Sequence, residues 1–372
     1  MTVASSLLPT DRPLRALGIM SGTSMDGIDV GLITSDGDRF ISTGPAATYA
    51  YPPETRRALL EHLQDAARFE TETFPALEAA VSDAHADAAL AFMRDQGLAK
   101  TDVDLVGMHG QTMLHRPERR FTCQLGDGQR AADRIGIPVV NRFRHADVAA
   151  GGQGAPLVPV YHQALAASLA QPLMVLNLGG VANVTYIDGD ALIAFDTGPA
   201  SALIDDFMRR RRGLAMDQDG LLAAQGHVDQ ALLHRLLSHS YFSKKPPKSL
   251  DRNDFHIWSQ AVERLSDEDG AATLTQFTVD SVAASLRHVP RRPARWLVTG
   301  GGRLNAAIMQ GLAAAVCAPV EPVEAAGWDG DGMEAHCFGY LAIRAVRGQP
   351  LSFPGTTGVP RPLCGGVLSL PR

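Results

Sequence analysis

The stretch Leu17-Gly-Ile-Met-Ser-Gly-Thr-Ser-Met-Asp-Gly-Ile-Asp-Val-Gly-Leu-Ile-Thr34 decides how the rest of this 372-residue chain is read. Leu17 to Met20 is an apolar run, Ser21 to Gly27 is rich in glycine and hydroxyls, and alternation resumes through Ile28, Val30, Leu32 and Ile33. The spacing predicts strand, turn, strand. Such a turn aims successive backbone N–H groups at one point, a way of holding phosphate oxygens without a metal cage. A plain connector between two strands has the same composition, because short glycine motifs are frequent by accident. No GxxxxGKS/T string is present, and Gly18, Gly22 and Gly27 are too widely spaced for GxGxxG. That disfavours a P-loop NTPase and a simple dinucleotide-binding dehydrogenase.

The composition, 45% hydrophobic and 20% charged, suits a globular protein of about two domains with ample core volume. A net charge of -6 and a pI near 6.0 argue against a phosphate-backbone footprint, so no nucleic-acid partner is expected. Arg209 to Arg212 is the one dense basic cluster, expected at the solvated end of a helix where cations favour the dipole. Cys123, Cys317, Cys337 and Cys364 stand far apart without CxxC pairs, so neither a zinc site nor a disulfide framework is indicated, and a reducing cytoplasm is the expected compartment. No stretch approaches ~18 uninterrupted apolar residues, and the opening MTVASSLLPTDRPL lacks a basic start and an apolar core. Neither a membrane span nor export is expected.

Outward from the hairpin, helical spacing through Leu59, Leu63, Leu77, Val81 and Leu90 predicts two helices. A strand from Asp104 should end at the polar cluster His109-Gly-Gln111-Thr, the kind of strand end where ligands gather in α/β sheets. Gly151, Gly152, Gly154, Pro156 and Pro159 inside apolar sequence suggest a hinge or a close backbone approach to a ligand, with a domain boundary near Asp147 and a second near Gly348. Leu173 to Ile187 then repeats the first hairpin in pattern: strand, Gly179-Gly180 turn, strand. Two such hairpins imply two lobes of related topology. Asp196-Thr-Gly-Pro199 is a polar corner after a strand, with Pro199 at a helix start, residues 217–256 form a surface excursion, and a strand at Arg295 leads to Gly300-Gly301-Gly302 and another helix.

Four glycine-rich strand ends in this order resemble the phosphate, connecting and adenosine segments of the sugar-kinase, actin and heat-shock chaperone ATPase superfamily. GIMSGTSMDGID, GMHGQTMLHRP, DVAAGGQGAPLVP, LNLGGVANVTYI, FDTGPASALIDD, Pro247-Lys248-Ser249, VTGGGRLNAAIM and the helix start Met333-Glu334-Ala335 together resemble the anhydro-N-acetylmuramic acid kinase family, from about Leu17 to Thr357. The resemblance implies an α/β, two-lobed, actin-like ATPase (ribonuclease H-like) fold with duplicated mixed sheets and a central cleft, divided as 1–147 plus 348–372 and 148–347. It implies ATP and Mg²⁺ as cofactors, a homodimer, and the conversion of 1,6-anhydro-N-acetylmuramic acid to its 6-phosphate with water opening the anhydro ring, in peptidoglycan recycling. Departures are Arg142 and His145 around the DVAAGGQGAP string, Ala200-Ser201 after Pro199, and Trp328 to Gly332.

By that resemblance Gly22, Thr23, Ser24, Met25, Asp26, Gly27, Ile28 and Asp29 line the phosphates and metal, and Asn177, Gly179, Gly180, Gly300, Gly301 and Gly302 line the nucleotide. Asp196 is the base for the attacking water, with Glu334 a second carboxylate near it. His109, Gln111, Arg144, Gly152 and Gln153 contact the sugar. The residues alone leave plainer roles open: Asp196 as a helix N-cap, Glu334 as a first-turn acid, and the others as loop polarity. A different class, an actin-like ATP-dependent binding switch, shares the nucleotide segments but needs no base.

Overall fold

The structure is a computed structural model that describes residues 8–22, 25–250, 258 and 260–372. Thr23 and Ser24, expected at the phosphates, lie outside the described residues. In chain order the strands are β1 (Leu14–Ser21), β2 (Ile28–Ser35), β3 (Ile41–Tyr49), β4 (Leu105–Arg116), β5 (Phe121–Leu125) and β6 (Val139–Asn141). They continue with β7 (Leu173–Leu178), β8 (Val181–Asp188), β9 (Ala191–Pro199), β10 (Arg295–Thr299), β11 (Val320–Pro322) and β12 (Val367–Ser369).

Two mixed sheets result, ordered β12-β6-β4-β1-β2-β3, with β5 on the second half of β4, and β11-β10-β7-β8-β9. Each starts from three antiparallel strands, β3-β2-β1 or β9-β8-β7, and adds two in parallel, β4 and β6 or β10 and β11. The duplication expected from the two hairpins is therefore present in five strands of each sheet, with β5 and β12 added to the first. The fold is α/β with duplicated mixed sheets.

The chain divides into two compact units, one of residues up to Ala167 with Asp331–Arg372, the other Ser168–Gly330. The boundaries expected near residues 147 and 348 both fall inside the first unit. The reason is packing: the helix Met333–Val346 lies on β1, β2 and β4, backbone against backbone. A Cβ on Gly18 would overlap the Ala335 carbonyl and the Gly339 nitrogen, and one on Gly107 would overlap the Phe338 carbonyl. Tyr161, in the helix Pro159–Leu165, stacks at 5.4 Å on Tyr340 of the same long helix.

Other expectations shift. The strand β3 was not anticipated, since ISTGPAATY lacks apolar alternation; it is a partly exposed edge strand, where Pro45 is tolerated. The strand from Leu105 does not end at His109 but continues to Arg116, and β9 runs through Asp196 to Pro199. Pro199 thus closes a strand instead of opening the helix Ser201–Arg212. Within 217–250 the chain is not a mere excursion, because Leu232, Leu233, Leu236, Tyr241 and Phe242 are buried in the second unit's core with Phe207, Phe277 and Trp296. Arg209 to Arg212 do form a helix end, where Arg211 and Arg212 share Asp267.

Candidate active site

In the first unit the hairpin turn is closed by Met25 N–H donating to the Gly22 carbonyl at 3.1 Å. Met25 is buried at φ 57°, and Ile28, also buried, begins β2. Asp26 is exposed, its carboxylate 3.7 Å from the Arg56 guanidinium. Gly27 packs on the Thr48 methyl, and Asp29 accepts from the Thr48 hydroxyl at 2.6 Å. Desolvation raises the Asp29 carboxyl above its ordinary value despite that hydrogen bond. Arg56 was missed by the sequence reading: it follows Pro52-Pro53 on the helix Pro53–Leu63, and its Nε donates to the Met25 carbonyl at 3.0 Å.

His109 and Gln111 were expected side by side at a strand end. Gly110 sits between them at φ +80°, which breaks the alternation of β4 and turns the two side chains to different partners; a Cβ there would also meet the Leu125 carbonyl. His109 stacks at 4.5 Å on Phe338 and accepts from Arg144 Nε at 2.9 Å, its Nδ1 facing the Gly110 carbonyl at 2.8 Å. Burial, then the guanidinium, holds its pKa well below the ordinary histidine value, so the ring is neutral. Gln111 is fully buried, its amide taking the Tyr51 hydroxyl on one side and donating to the Gly22 carbonyl on the other. Both ends of its amide are thus tied to the hairpin side of the strand.

Arg144 Nη1 donates to the Gly154 carbonyl at 2.8 Å. The glycine-rich loop is anchored closely: Asp147, buried, accepts from Gly154 N–H and from the Thr357 hydroxyl, each at 2.6 Å, and Gln153 N–H donates to the Thr357 carbonyl at 2.7 Å. Gly152 N–H donates to the Asp147 carbonyl. His115, another residue the sequence reading missed, bridges the Thr122 hydroxyl and the Gln153 carbonyl. The string GMHGQTMLHRP contained it, but nothing in the spacing distinguished it. Glu334 stands in the first turn of the helix Met333–Val346 and keeps contact with solvent. Crowding by the surrounding protein raises its carboxyl above the ordinary value, opposed by Arg144. The first unit thus gathers His109, Arg144, the Gly152–Gly154 backbone and Glu334 around one cation.

In the second unit Asp196 lies within β9. Its Oδ2 accepts from Leu250 N–H at 2.7 Å, its own N–H donates to the Lys248 carbonyl, and its carbonyl accepts from the Tyr241 hydroxyl at 2.7 Å. It caps no helix; the helix Ser201–Arg212 begins five residues later, with Ala200 at its N-cap. Burial raises the Asp196 carboxyl to about 7, opposed by the Leu250 N–H and the Lys248 charge. Lys248 lies 4.5 Å from the centre of the Tyr241 ring and is lowered by burial to about 8. A carboxyl poised near neutrality is equipped to take a proton from water. The sequence reading missed Tyr241 because the polar stretch around it reads as surface.

Asn177 ends the pairing of β7 with β10, opposite Thr299. The Gly179 carbonyl accepts from Ser201 N–H and from its hydroxyl at 2.6 Å, and the Gly180 carbonyl accepts from Ala200 N–H. The departure at Ala200-Ser201 therefore fastens this turn. Gly301 faces open space and Gly302 lies against Leu178. A 3₁₀ turn, Gly301–Leu304, links the three glycines to the helix expected after them, Ala306–Val316, which Asn305 caps.

A profile of the anhydro-N-acetylmuramic acid kinase family matches residues 14–370. The chain belongs to the anhydro-N-acetylmuramic acid kinase family. The anhydro-N-acetylmuramic acid kinase of Rhodospirillum rubrum is 52% identical over 363 residues, 97% of this chain and 96% of the relative. That of Nitrobacter winogradskyi is 50% identical over 367 residues, 96% of this chain and all of the relative. Among solved structures, component A of Acidaminococcus fermentans (R)-2-hydroxyglutaryl-CoA dehydratase aligns with a TM-score of 0.48 at 11% identity, covering 90% of this chain and 99% of that one. As a member of a sugar kinase family, the chain is an enzyme whose phosphoryl donor is ATP. No helix among the described residues is long and apolar enough to cross a membrane.

Proposed function

We propose that this enzyme phosphorylates 1,6-anhydro-N-acetylmuramic acid with ATP while water opens the anhydro bridge, giving N-acetylmuramic acid 6-phosphate and ADP for peptidoglycan recycling in the cytoplasm. Beyond family membership, the observation that carries this reading is Asp196: a carboxylate held by the Leu250 N–H and raised to about 7 is a base, and a binding switch needs none. Water attacks the anomeric carbon as its bond to O6 breaks, Asp196 takes the proton the water loses, and O6 captures the γ-phosphoryl group as the bond to ADP breaks.

In this reading the backbone from Gly22 to Asp29, with Thr23 and Ser24, holds the phosphates, and Asn177, Gly179, Gly180 and Gly300 to Gly302 hold the nucleotide. Arg144, with neutral His109 beside it, takes the sugar's carboxylate; Gly152 and Gln153 meet its hydroxyls and Glu334 orients the water. Among the described residues no group of three or more His, Cys, Asp or Glu could hold a metal ion. Mg²⁺ fits as an ion held mainly by the phosphates, with Asp26 and Asp29 reaching it or its waters, and bound there it neutralises phosphate charge. We assign the working form as a homodimer, which sedimentation would test.

The deciding experiment runs the reaction in ¹⁸O-labelled water. Label on the anomeric carbon of the product is expected; label only in inorganic phosphate would mean a plain ATPase or an actin-like switch. The pH profile follows from Asp196. Turnover needs its ionised form, so kcat/KM should fall about tenfold per pH unit below 6 and level off above 8. A profile flat down to pH 5, as for an ordinary aspartate, would contradict the assignment. Arg144→Lys should raise the sugar KM by roughly ten- to a hundredfold, because a lysine cannot keep both the His109 and Gly154 bonds and still present a fork to a carboxylate. The ATP KM should stay within about twofold.

A further inference from the structure

Beneath the hairpin turn runs a chain of buried polar groups that the reaction itself does not use. Ser21, the last residue of β1, places its Oγ 3.1 Å from His85 Nε2, and His85 Nδ1 lies 2.8 Å from the Val81 carbonyl one turn earlier in the helix Pro75–Asp95. A carbonyl only accepts, so Nδ1 carries the proton and Nε2 accepts from the Ser21 hydroxyl. Burial lowers His85 to about 4, so the ring stays neutral across the physiological range. Beside it, the Tyr51 hydroxyl donates to Gln111 Oε1 at 3.0 Å and Gln111 Nε2 donates to the Gly22 carbonyl at 3.1 Å. The Tyr51 ring meets His85 edge-on at 5.8 Å, joining the two halves. All four side chains are buried, and they converge on two adjacent backbone positions, Ser21 and Gly22.

We infer that His85, Tyr51 and Gln111 are positioning residues for the nucleotide's phosphates, a buried relay that fixes Ser21 and Gly22, the entry to the hairpin turn, before the anion arrives. This rests on the reading of that turn as the phosphate holder and adds what holds it. An apolar floor would fill the same space but would not choose among peptide orientations. A directional bond does: Gln111 Nε2 meets the Gly22 carbonyl from the buried side, while Met25 N–H holds the same oxygen from within the turn. A turn whose entry is fixed in advance has less to rearrange when the charge comes.

The test uses the full chain and a nonhydrolysable ATP analogue with Mg²⁺ but no sugar, measured by calorimetry, alongside KM for both substrates. Gln111→Met removes both bonds, and analogue affinity should fall roughly tenfold or more. Tyr51→Phe deletes one oxygen and keeps the ring, and should cause a several-fold loss. The double variant should bind no more weakly than Gln111→Met, because both act through the one bond to Gly22. The sugar KM should stay within about twofold throughout, which a general loosening of the fold would not allow. Should Gln111→Met fail to fold, Tyr51→Phe decides alone. Unchanged analogue affinity in Tyr51→Phe, or an equal rise in both KM values, would overturn the inference. If the wild-type chain binds the analogue and the variants bind it weakly, yet no sugar is phosphorylated, the proposed reaction falls and the relay stands.

Discussion

Asp196→Asn is expected to lower turnover on 1,6-anhydro-N-acetylmuramic acid by on the order of 10² to 10⁴, toward the upper end because water attack and phosphoryl capture are coupled. ATP affinity should hardly move. Asn keeps the shape and can still accept from the Leu250 N–H, but it cannot take a proton from water. The same variant should be more stable than the wild type at pH 8. The folded-state pKa of about 7 lies above the unfolded value near 3.9, so the carboxyl imposes no penalty below pH 4, a growing one between 4 and 7, and a constant one above. Partial solvent access trims the penalty to roughly 2 to 4 kcal/mol. Thermal unfolding at pH 8 and pH 4.5 checks this: a stability gain that shrinks at the lower pH, together with lost turnover, marks a carboxylate held under strain for its chemistry. Retained activity would return Asp196 to a structural role.

Gly18→Val should destabilise the first unit by about 3 kcal/mol or more, beyond the usual range for an overpacked core site. The atoms it would strike are the Ala335 carbonyl and the Gly339 amide, backbone groups of a helix that cannot rotate aside as a side chain can. Either the strand or the helix Met333–Val346 must move, and that helix carries Glu334. A low-temperature assay of the surviving folded fraction should therefore also give a raised sugar KM. Denaturant unfolding in which the valine variant is within about 1 kcal/mol of wild type would mean the helix has room to lift.

The fold was legible where glycine-rich turns interrupt apolar runs. Both hairpins, at Leu17 and Leu173, and the strand at Arg295 stand where their patterns place them, because a turn that needs glycine and a strand that needs apolar partners leave their mark on neighbouring residues. The strand β3 left no such mark, since an edge strand half open to water has little need of apolar alternation. The polar residues of the site were legible by type but not by grouping. His109 and Gln111 are two apart in a strand and should share a face; a single positive φ at Gly110 separates them, and residue spacing does not encode a dihedral. Tyr241 and Lys248 lie in a stretch whose average is polar, although particular residues there are buried beside Asp196. Nor does spacing reveal that a helix beginning at Met333 returns to β1, β2 and β4, strands laid down far earlier in the chain.

That return has a consequence for the order of events during synthesis. The second unit is one continuous piece, Ser168–Gly330, and can fold as it leaves the ribosome. The first unit cannot finish then: the helix that covers β1, β2 and β4, and the strand β12 that pairs with β6, both belong to the last forty-two residues, Asp331–Arg372. Its half-built sheet must wait with Gly18 and Gly107 uncovered while the later unit is made, so the segment synthesised first is the one completed last.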